Sequence, residues 1–390
     1  MNKLRYNYLP EFRALLLGRS RPAIVTVNIT SRCNQQCIYC EIGQGIPSAV
    51  SGMLTKEDMF WVLDQMALHR INRISLCGGE PFLFDGIMEV VAYAGNRNIR
   101  CSITSNGMTV YKLQDSDFEM LRRYKADINI SIDSFEKEIQ ILTRGVPTAL
   151  GNAIRSLQKL ADERIPVTLL SAISCYNYND LFPFVVKAHH MGIKQVLFQP
   201  IIHYTNYPDR HTIQGKTSLN VPPGQIPVLI ENLEKILIFE KRHNINTNVY
   251  RIMPWIGHYI ESSASGNGKW FFGEVLEKFY CREIYATIDI AYDGGIQPCA
   301  LTRAKINIKD HGEKGLMELW QEATKTIRED LSKGSYYEYC NACCNKFSRN
   351  MLASVMKYPR KNRKALSKVA PLILSRIFSQ TKKKLSIVKK

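Results

Sequence analysis

One stretch of the chain, PAIVTVNITSRCNQQCIYC at residues 22–40, decides both the fold and the chemistry. Its first half is apolar and β-branched, which is typical of a buried strand. Its second half places Cys33, Cys37 and Cys40 in a C-x3-C-x2-C loop directly after that strand. Thiolates are the usual ligands of iron–sulfur clusters, and three of them leave one iron of a four-iron cluster open to a reacting molecule. A zinc knuckle or three core cysteines are the alternative interpretations.

Outward from this stretch, short strands alternate with amphipathic helices. Helical periodicity is clearest at 55–70, where Thr55 can cap the first turn together with Asp58. The alternation implies right-handed βαβ units and a parallel sheet. We therefore predict an α/β fold built on a partial (β/α)6 TIM-like barrel. The predicted strands lie near 22–29, 73–77, 100–104, 127–132, 167–173 and 194–198, and the further helices near 84–95, 114–124, 147–163 and 179–191.

Polar motifs follow the ends of these predicted strands, where parallel βα folds gather their working groups. Glycines allow a close backbone approach, and a carboxylate can offset an ammonium group. We therefore expect the motifs to surround the cysteine loop. They are Gly78-Gly79-Glu80-Pro81 after the second strand, Ser105-Asn106-Gly107 after the third, Ser131-Ile132-Asp133 after the fourth, Asn177 and Asn179 after the fifth, and Gln199 after the sixth.

The cysteine spacing, with the aromatic Tyr39 before its last cysteine, and the GGEP motif one strand later resemble the radical S-adenosylmethionine (radical SAM) superfamily over about residues 22–205. The resemblance implies a catalytic 4Fe-4S cluster on Cys33, Cys37 and Cys40. It also implies that S-adenosyl-L-methionine binds the open iron. An electron from the cluster then splits the cofactor and releases a 5'-deoxyadenosyl radical, which abstracts a hydrogen atom.

The resemblance also implies a set of cofactor-binding residues. GGEP would hold the amino group of the cofactor, and Arg144, with Gly145, would pair with its carboxylate. The family often has a His-Asp pair before this Arg-Gly, whereas this chain has Glu138-Ile139-Gln140, a departure that concerns the substrate side. The predicted cofactor-binding set is Tyr39, Gly78, Gly79, Glu80, Pro81, Ser105, Asn106, Ser131, Asp133 and Arg144.

A second group of cysteines lies in the C-terminal part. Its spacing resembles the auxiliary-cluster region called SPASM, or the shorter twitch version, so the resemblance implies one auxiliary 4Fe-4S cluster. The predicted ligands are Cys281, Cys299, Cys340 and Cys343, with Cys344 as an alternative to Cys343. Structural zinc is the competing interpretation. The spacing looks closest to that of 2-deoxy-scyllo-inosamine dehydrogenase, which favours a net oxidation with the auxiliary cluster as electron acceptor.

Charge and composition limit the remaining options. The hydrophobic content of 45% excludes a disordered protein, and neither a signal peptide nor a long apolar segment is visible. The eleven cysteines are therefore not expected to form an export-type disulfide framework, and we expect a cytoplasmic enzyme. Twelve Lys or Arg and no Asp or Glu fall within residues 357–390. This basic amphipathic tail predicts peripheral contact with the inner membrane surface, or a flexible solvated tail, over nucleic-acid binding.

The cysteine spacing, GGEP and the resemblance they carry imply a radical SAM oxidoreductase. Its substrate is expected to be a sugar or cyclitol, or a lipid-linked molecule, and a flavodoxin or ferredoxin is expected to supply electrons. A peptide-modifying enzyme is the alternative, although the first 21 residues are short for a leader-binding domain. A non-enzymatic zinc or cluster protein that binds nucleic acid is the weaker alternative. The predicted division is an extension (1–21), the radical SAM core (22–205), a connector with a helix (206–275), a twitch/SPASM-like domain (276–346) and the basic tail (347–390).

Overall fold

A computed structural model describes residues 22–45, 52–201, 219–264, 276–299, 304–337 and 347–367, together with Thr302, Cys340 and Cys343. Within these residues ten strands form one sheet, in the order β10-β9-β8-β1-β2-β3-β4-β5-β6-β7. Strands β1 to β8 pair in parallel, and β9 and β10 run antiparallel to their neighbours. The strands are β1 (Ile24–Thr30), β2 (Arg73–Gly78), β3 (Arg100–Ser105), β4 (Asp127–Ser131), β5 (Val167–Ile173), β6 (Gln195–Pro200), β7 (Asn246–Thr247), β8 (Thr287–Ile290), β9 (Gly295–Gln297) and β10 (Ile306–Asn307).

Helices connect the parallel strands and continue after them. They are α1 (Lys56–Leu68), α2 (Ile87–Asn96), α3 (Asp115–Arg123), α4 (Lys137–Arg144), α5 (Ala149–Asp162), α6 (Leu181–His190), α7 (Ile226–Arg242), α8 (Val249–Ala264), α9 (Glu283–Ala286), α10 (Leu316–Lys333) and α11 (Phe347–Lys357). In the described part of the chain, no helix combines the length and the apolar character that crossing a membrane requires.

The local sequence explains these elements. In β1 the side chains of Val25, Val27 and Ile29 are fully buried and alternate with more exposed residues, as the two-residue period of a strand requires. At the start of α1 the Thr55 hydroxyl accepts the Asp58 N–H (3.2 Å) and the Thr55 N–H donates to the Asp58 carboxylate (2.8 Å). This capping box was predicted from the sequence and is confirmed.

The predicted fold class is also confirmed. Strands β1 to β6 follow one another in sheet order, as in a partial (β/α)6 barrel. Five helices were not predicted, namely α4, α8, α9, α10 and α11. Helix α4 was not predicted because its buried side chains are polar, so the sequence shows no hydrophobic periodicity there. These side chains are Gln140, Thr143 and Arg144. Helix α8 contains Pro254, which normally interrupts a helix.

The C-terminal part continues the barrel sheet, because β8 pairs with β1 from Ile24 opposite Thr287. Helix α10 packs beside this junction, where the Trp320 indole N–H donates to the Thr287 carbonyl (3.1 Å). The Leu316 N–H donates to the side chain of Gln65 in α1 (3.2 Å). The region that carries the second cysteine group is thus joined to the barrel by strand pairing and by side-chain contacts.

The beginning of the predicted basic tail is folded. Helix α11 and the turn after it bury Asn350, Ser354 and Asn362, whose exposures are at most 2%. These side chains bond to the backbone around Cys281 and hold residues 347–367 against the protein. The predictions for the N-terminal extension and for the tail beyond residue 367 lie outside the described residues.

Candidate active site

The cysteine loop leaves β1 and lies against the C-terminal end of α4. The Gln36 N–H donates to the Arg144 carbonyl (3.1 Å), and the Ile38 N–H donates to the Thr143 carbonyl (3.1 Å). Gly145 ends the helix with φ +73°, and a Cβ there would lie 2.4 Å from the Gln36 carbonyl oxygen. A residue without a side chain is therefore required where helix and loop meet.

The three thiols of this loop are close enough to influence one another. Burial raises the pKa of Cys37 to about 11, the nearby Arg144 opposes this shift, and Cys40 and Cys33 add to it. The pKa of Cys33 is raised by burial, and Glu80 and Cys40 raise it further. Three thiolates so placed would repel each other, so a cationic metal centre would stabilise them.

The GGEP motif binds the start of the cysteine loop through its backbone. The Gly79 N–H donates to the Thr30 carbonyl (2.7 Å), and the Glu80 N–H donates to the Arg32 carbonyl (2.8 Å). A Cβ on Gly79 would lie 2.1 Å from the Arg32 carbonyl oxygen, and Gly78 has φ +110°. The glycines therefore let the end of β2 approach the loop closely.

The Glu80 side chain is fully buried and joins the end of β2 to the end of β3. Its carboxylate accepts the Ser105 hydroxyl (2.9 Å), the Asn106 N–H (2.7 Å) and the Phe82 N–H (3.1 Å). Burial raises the pKa of Glu80 to about 7, and these three donors oppose the shift. Because a carboxylate has about four acceptor positions, three bonds leave one for the cofactor amino group, and that contact stays a prediction.

The Asn106 side chain reaches the first cysteine of the loop. Its amide nitrogen lies 3.7 Å from the Cys33 sulfur and donates to the Asn34 side chain (2.7 Å). Its amide oxygen accepts the Met108 N–H (2.9 Å), which fixes the orientation of the group. Asn106 therefore lies beside the cysteines, as the sequence predicted, while Ser131 is half-buried at the end of β4.

A buried network connects the end of β4 to the other cysteines. Arg144 Nη2 lies 2.7 Å from the Asp133 carboxylate, which also accepts the Tyr39 hydroxyl (2.5 Å). Arg144 Nη1 lies 3.9 Å from the Cys37 sulfur. Burial raises the pKa of Tyr39, so its phenol stays protonated and donates. Arg144 thus has an internal carboxylate partner, and its predicted pairing with the cofactor carboxylate stays a prediction.

Two side chains that position this network were not recognised in this role. The Gln140 amide oxygen accepts the N–H groups of Asp133 (2.9 Å) and Ser134 (3.2 Å). The Asn177 amide nitrogen donates to the Asp133 carbonyl (2.8 Å). In the sequence, Gln140 stood out only as a departure from the family pattern, and Asn177 only as a polar residue after the fifth predicted strand. The signal that could have identified Gln140 is a polar residue on the buried side of a short helix.

The second cysteine group assembles in the C-terminal part. Burial raises the pKa of Cys281, and the thiols of Cys299 and Cys340 raise it further. Burial also raises the pKa of Cys340 to about 12, again with a contribution from Cys299. The Cys343 N–H donates to the Cys340 carbonyl (3.4 Å), so Cys343 lies one turn further along. Cys344 lies outside the described residues, and the choice between it and Cys343 stays open.

Helix α11 holds the segment around Cys281. The Asn350 amide nitrogen lies 3.9 Å from the Cys281 sulfur, and its amide oxygen accepts the Arg282 N–H (2.9 Å). Ser354 and Asn362 accept backbone N–H groups from the residues just before the cysteine. The second site therefore depends on side chains from helix α11 and from the turn after it, both of which follow all of its cysteines.

Comparisons with known proteins match both cysteine groups. Residues 27–181 match the Radical SAM superfamily, and residues 281–344 match SPASM, an iron-sulfur cluster-binding domain. The sporulation killing factor maturation protein SkfB of Bacillus subtilis is 27% identical over 281 residues, which cover 72% of this chain and 60% of SkfB. A GTP 3',8-cyclase of Lactiplantibacillus plantarum is 28% identical over 188 residues, which cover 45% of this chain and 54% of the cyclase. The chain spans little more than half of the length of these relatives.

Solved structures give the same fold. Streptococcus suis SuiB bound to precursor peptide SuiA has a TM-score of 0.59 at 18% identity, over 88% of this chain and 77% of SuiB. Native anSMEcpe with bound AdoMet has a TM-score of 0.58 at 16% identity, over 89% of this chain and 100% of that protein. The two family matches confirm the predicted cofactor classes, S-adenosyl-L-methionine and iron–sulfur clusters. The chain therefore carries a radical SAM domain in residues 27–181 and a SPASM domain in residues 281–344.

Proposed function

We propose that this enzyme reductively cleaves S-adenosyl-L-methionine to a 5'-deoxyadenosyl radical and uses it to oxidise a substrate by two electrons. The observation that carries the proposal is the grouping of Cys33, Cys37 and Cys40 beside Asn106 and Arg144 at the carboxyl ends of the barrel strands. Catalytic groups in parallel βα folds gather at this end.

The residues around the loop fit a catalytic 4Fe-4S cluster. The side-chain N–H groups of Asn106 and Arg144 lie 3.7 and 3.9 Å from two of the sulfurs, where they would stabilise thiolates. Gln35 Nε2, between these cysteines, is buried without a hydrogen-bond partner among the described residues. An unpaired buried donor is expected where a further group binds. When bound, the cluster and S-adenosyl-L-methionine supply the electron transfer and the radical chemistry.

The chain itself would position these groups and keep water away. Gly78 and Gly79 bring the backbone of GGEP close to the loop, and the carboxylate of Glu80 fixes the ends of β2 and β3. Asp133 holds both Arg144 and Tyr39 in place. We propose as cofactor-binding residues the full predicted set, Tyr39, Gly78, Gly79, Glu80, Pro81, Ser105, Asn106, Ser131, Asp133 and Arg144.

The second cysteine group supports a net oxidation. Cys281, Cys299, Cys340 and Cys343 would hold one auxiliary 4Fe-4S cluster, with no iron left open for substrate. In the proposed reaction the substrate loses one hydrogen atom to the 5'-deoxyadenosyl group, then one proton, and one electron that the auxiliary cluster accepts. A flavodoxin or ferredoxin would supply the electron for cofactor cleavage. We also propose the domain boundaries that the sequence predicts.

A peptide is the substrate class that we propose first. SkfB is named a maturation protein, and SuiB has been solved with a precursor peptide. A sugar, cyclitol or lipid-linked substrate is the second candidate, because the spacing of the C-terminal cysteines resembles that of a cyclitol dehydrogenase. Incubation with a candidate precursor peptide, followed by mass measurement, would distinguish them. A loss of two mass units is expected for the peptide.

Cofactor cleavage provides the direct test. After anaerobic reconstitution we expect about eight irons per chain, from two four-iron clusters. With dithionite, the protein should form 5'-deoxyadenosine, and a Cys37→Ala variant should not. Cys175→Ala, a half-buried cysteine outside both groups, is the matched control and should retain activity. Wild-type formation no greater than that of Cys37→Ala, or bound zinc without sulfide, would overturn the proposal.

A further inference from the structure

A row of alternating cations and aromatic rings lies on the protein surface beside Cys281. We call it the cation–aromatic surface. Its consecutive contacts are Arg328 over the Tyr285 ring (5.2 Å), Tyr285 stacked on Tyr280 (5.7 Å), Lys357 over Tyr280 (3.7 Å), Lys357 over Tyr358 (5.8 Å) and Lys278 over Tyr358 (4.7 Å). All distances run to ring centroids. Each neighbouring pair is within the range of a cation–π or stacking interaction.

This surface reaches a proposed ligand of the auxiliary cluster. Tyr280 precedes Cys281 in the sequence. The Ser354 hydroxyl accepts the Tyr280 N–H (2.8 Å) and fixes the backbone at this point. The aromatic rings therefore connect the surface cations to the immediate surroundings of Cys281.

The surface is strongly positive. Residues 347–367 contain six Lys or Arg and no Asp or Glu, and beyond Lys357 these cations are exposed. Partial burial and the neighbouring charge of Lys278 lower the pKa of Lys357. Glu277, whose N–H donates to Asn362, and Glu283, whose charge acts on Cys281, are acidic residues near this segment, and its cations outnumber them. An anionic partner would relieve their mutual repulsion.

The apolar side of the segment faces the protein core. Met351, Val355 and Ala365 are buried, while Leu366 is 40% exposed. An amphipathic helix binds a membrane by inserting its apolar face, and here that face is already covered. The charge and its nearness to Cys281 therefore favour an acidic redox protein over a lipid surface.

We propose that the cation–aromatic surface is the docking site of an acidic one-electron carrier of the flavodoxin or ferredoxin type. The proposal rests on the proposed function, because the electron to be removed is the one that the substrate loses. In this step the auxiliary site is oxidised by one electron and the oxidised carrier is reduced by one. No atom is transferred. Tyr280 and Tyr285 fill the space between the docked carrier and the cysteine.

The test uses the reconstituted protein, oxidised flavodoxin and a matched pair of charge reversals. The surface variant is Lys278→Glu, Arg360→Glu, Lys364→Glu, which combines one cation of the surface with two cations of the segment that follows Tyr358, and all three side chains are exposed. The control is Lys187→Glu, Lys241→Glu, Arg242→Glu on α6 and α7, near the opposite end of the sheet. Both triples carry Cys37→Ala, so that the transferred electron comes from the auxiliary site. After reduction and removal of dithionite, stopped-flow absorbance follows the flavodoxin semiquinone.

We expect the second-order rate of the surface variant to fall at least tenfold at low ionic strength, and the difference to shrink at high salt. The control should react at the rate of the Cys37→Ala parent, and equal iron content would show that the second site is intact. Equal rates for both triples would overturn the docking site. The docking site would also be overturned if the surface variant lost binding to phosphatidylglycerol vesicles or to RNA while its rate of electron transfer to flavodoxin stayed unchanged. Failure of the proposed function would instead appear as absent 5'-deoxyadenosine from the protein with Cys37 intact, or as absent auxiliary iron in the Cys37→Ala parent.

Discussion

The two cysteine groups are held in different ways. Cys33, Cys37 and Cys40 lie within one loop, and backbone bonds from GGEP and from the end of α4 fix that loop. Cys281, Cys299 and Cys340 come from separate segments, and side chains from α11 fix the first of them. The first site is specified by local sequence, whereas the second is specified by packing. Substitutions that separate the two sites test this difference.

The largest effect is expected for Asp133→Ala. It leaves the buried Arg144 without its carboxylate, a change that typically costs about 3–5 kcal/mol. Urea unfolding measures the loss, and iron analysis should show that the catalytic site is affected while the auxiliary site is retained. Asp115→Ala is the control, since Asp115 is an exposed partner of Lys159 and should change neither value. Equal effects of the two substitutions would contradict the buried network.

The next largest loss of stability is expected for Asn362→Ala. This buried side chain accepts the Glu277 and Lys278 N–H groups and donates to the carbonyls of Lys278 and Ser354. Their loss should lower the free energy of unfolding by about 2–4 kcal/mol. Iron should fall from about eight to about four per chain, with cofactor cleavage retained. The exposed Asn244→Ala should behave as wild type, and loss of the catalytic iron would show that the sites are not separable.

A smaller effect is expected for Gly145→Ala, where the added Cβ would meet the Gln36 carbonyl oxygen at 2.4 Å. The strain should cost about 1–3 kcal/mol and displace the cysteine loop. Gly192→Ala is a matched control, because φ is also positive there (+80°) and nothing lies within 4 Å of the added Cβ. Both should lose stability in thermal unfolding, and Gly145→Ala should also lose catalytic iron. Similar iron retention in both would contradict the close contact.

The smallest expected effect is a change in pH dependence. The folded pKa of Glu80 is raised to about 7 from an ordinary value of 4.5. Between these values the folded protein binds more protons than the unfolded chain, so this group makes stability fall as pH rises from about 4.5 to 7. Thermal unfolding of the metal-free protein should show this slope in wild type and a flatter curve in Glu80→Gln. The exposed Glu89→Gln should keep the wild-type slope, and parallel curves for all three would contradict the burial of Glu80.

The sequence predicted what local patterns encode. Alternating β-branched runs predicted the six barrel strands, and the pair of Thr55 and Asp58 predicted the start of α1. The spacing of Cys33, Cys37 and Cys40 gave the cysteine loop. Long-range amide contacts, such as those of Gln140 and Asn362, leave no pattern in the sequence. The pairing of β8 with β1 could not be predicted either, because the choice of strand partners depends on tertiary packing.

The pairing of β8 with β1 bears on how the protein can be divided. Without the C-terminal part, β1 would become an edge strand with a free row of backbone N–H and carbonyl groups. Such an edge can form hydrogen bonds with a strand of another chain. Because β1 leads into the cysteine loop, this pairing would involve the strand that positions the loop. A fragment truncated before residue 276 should therefore aggregate. An exchange of C-terminal regions between relatives would succeed only if the incoming strand matched the register of β1.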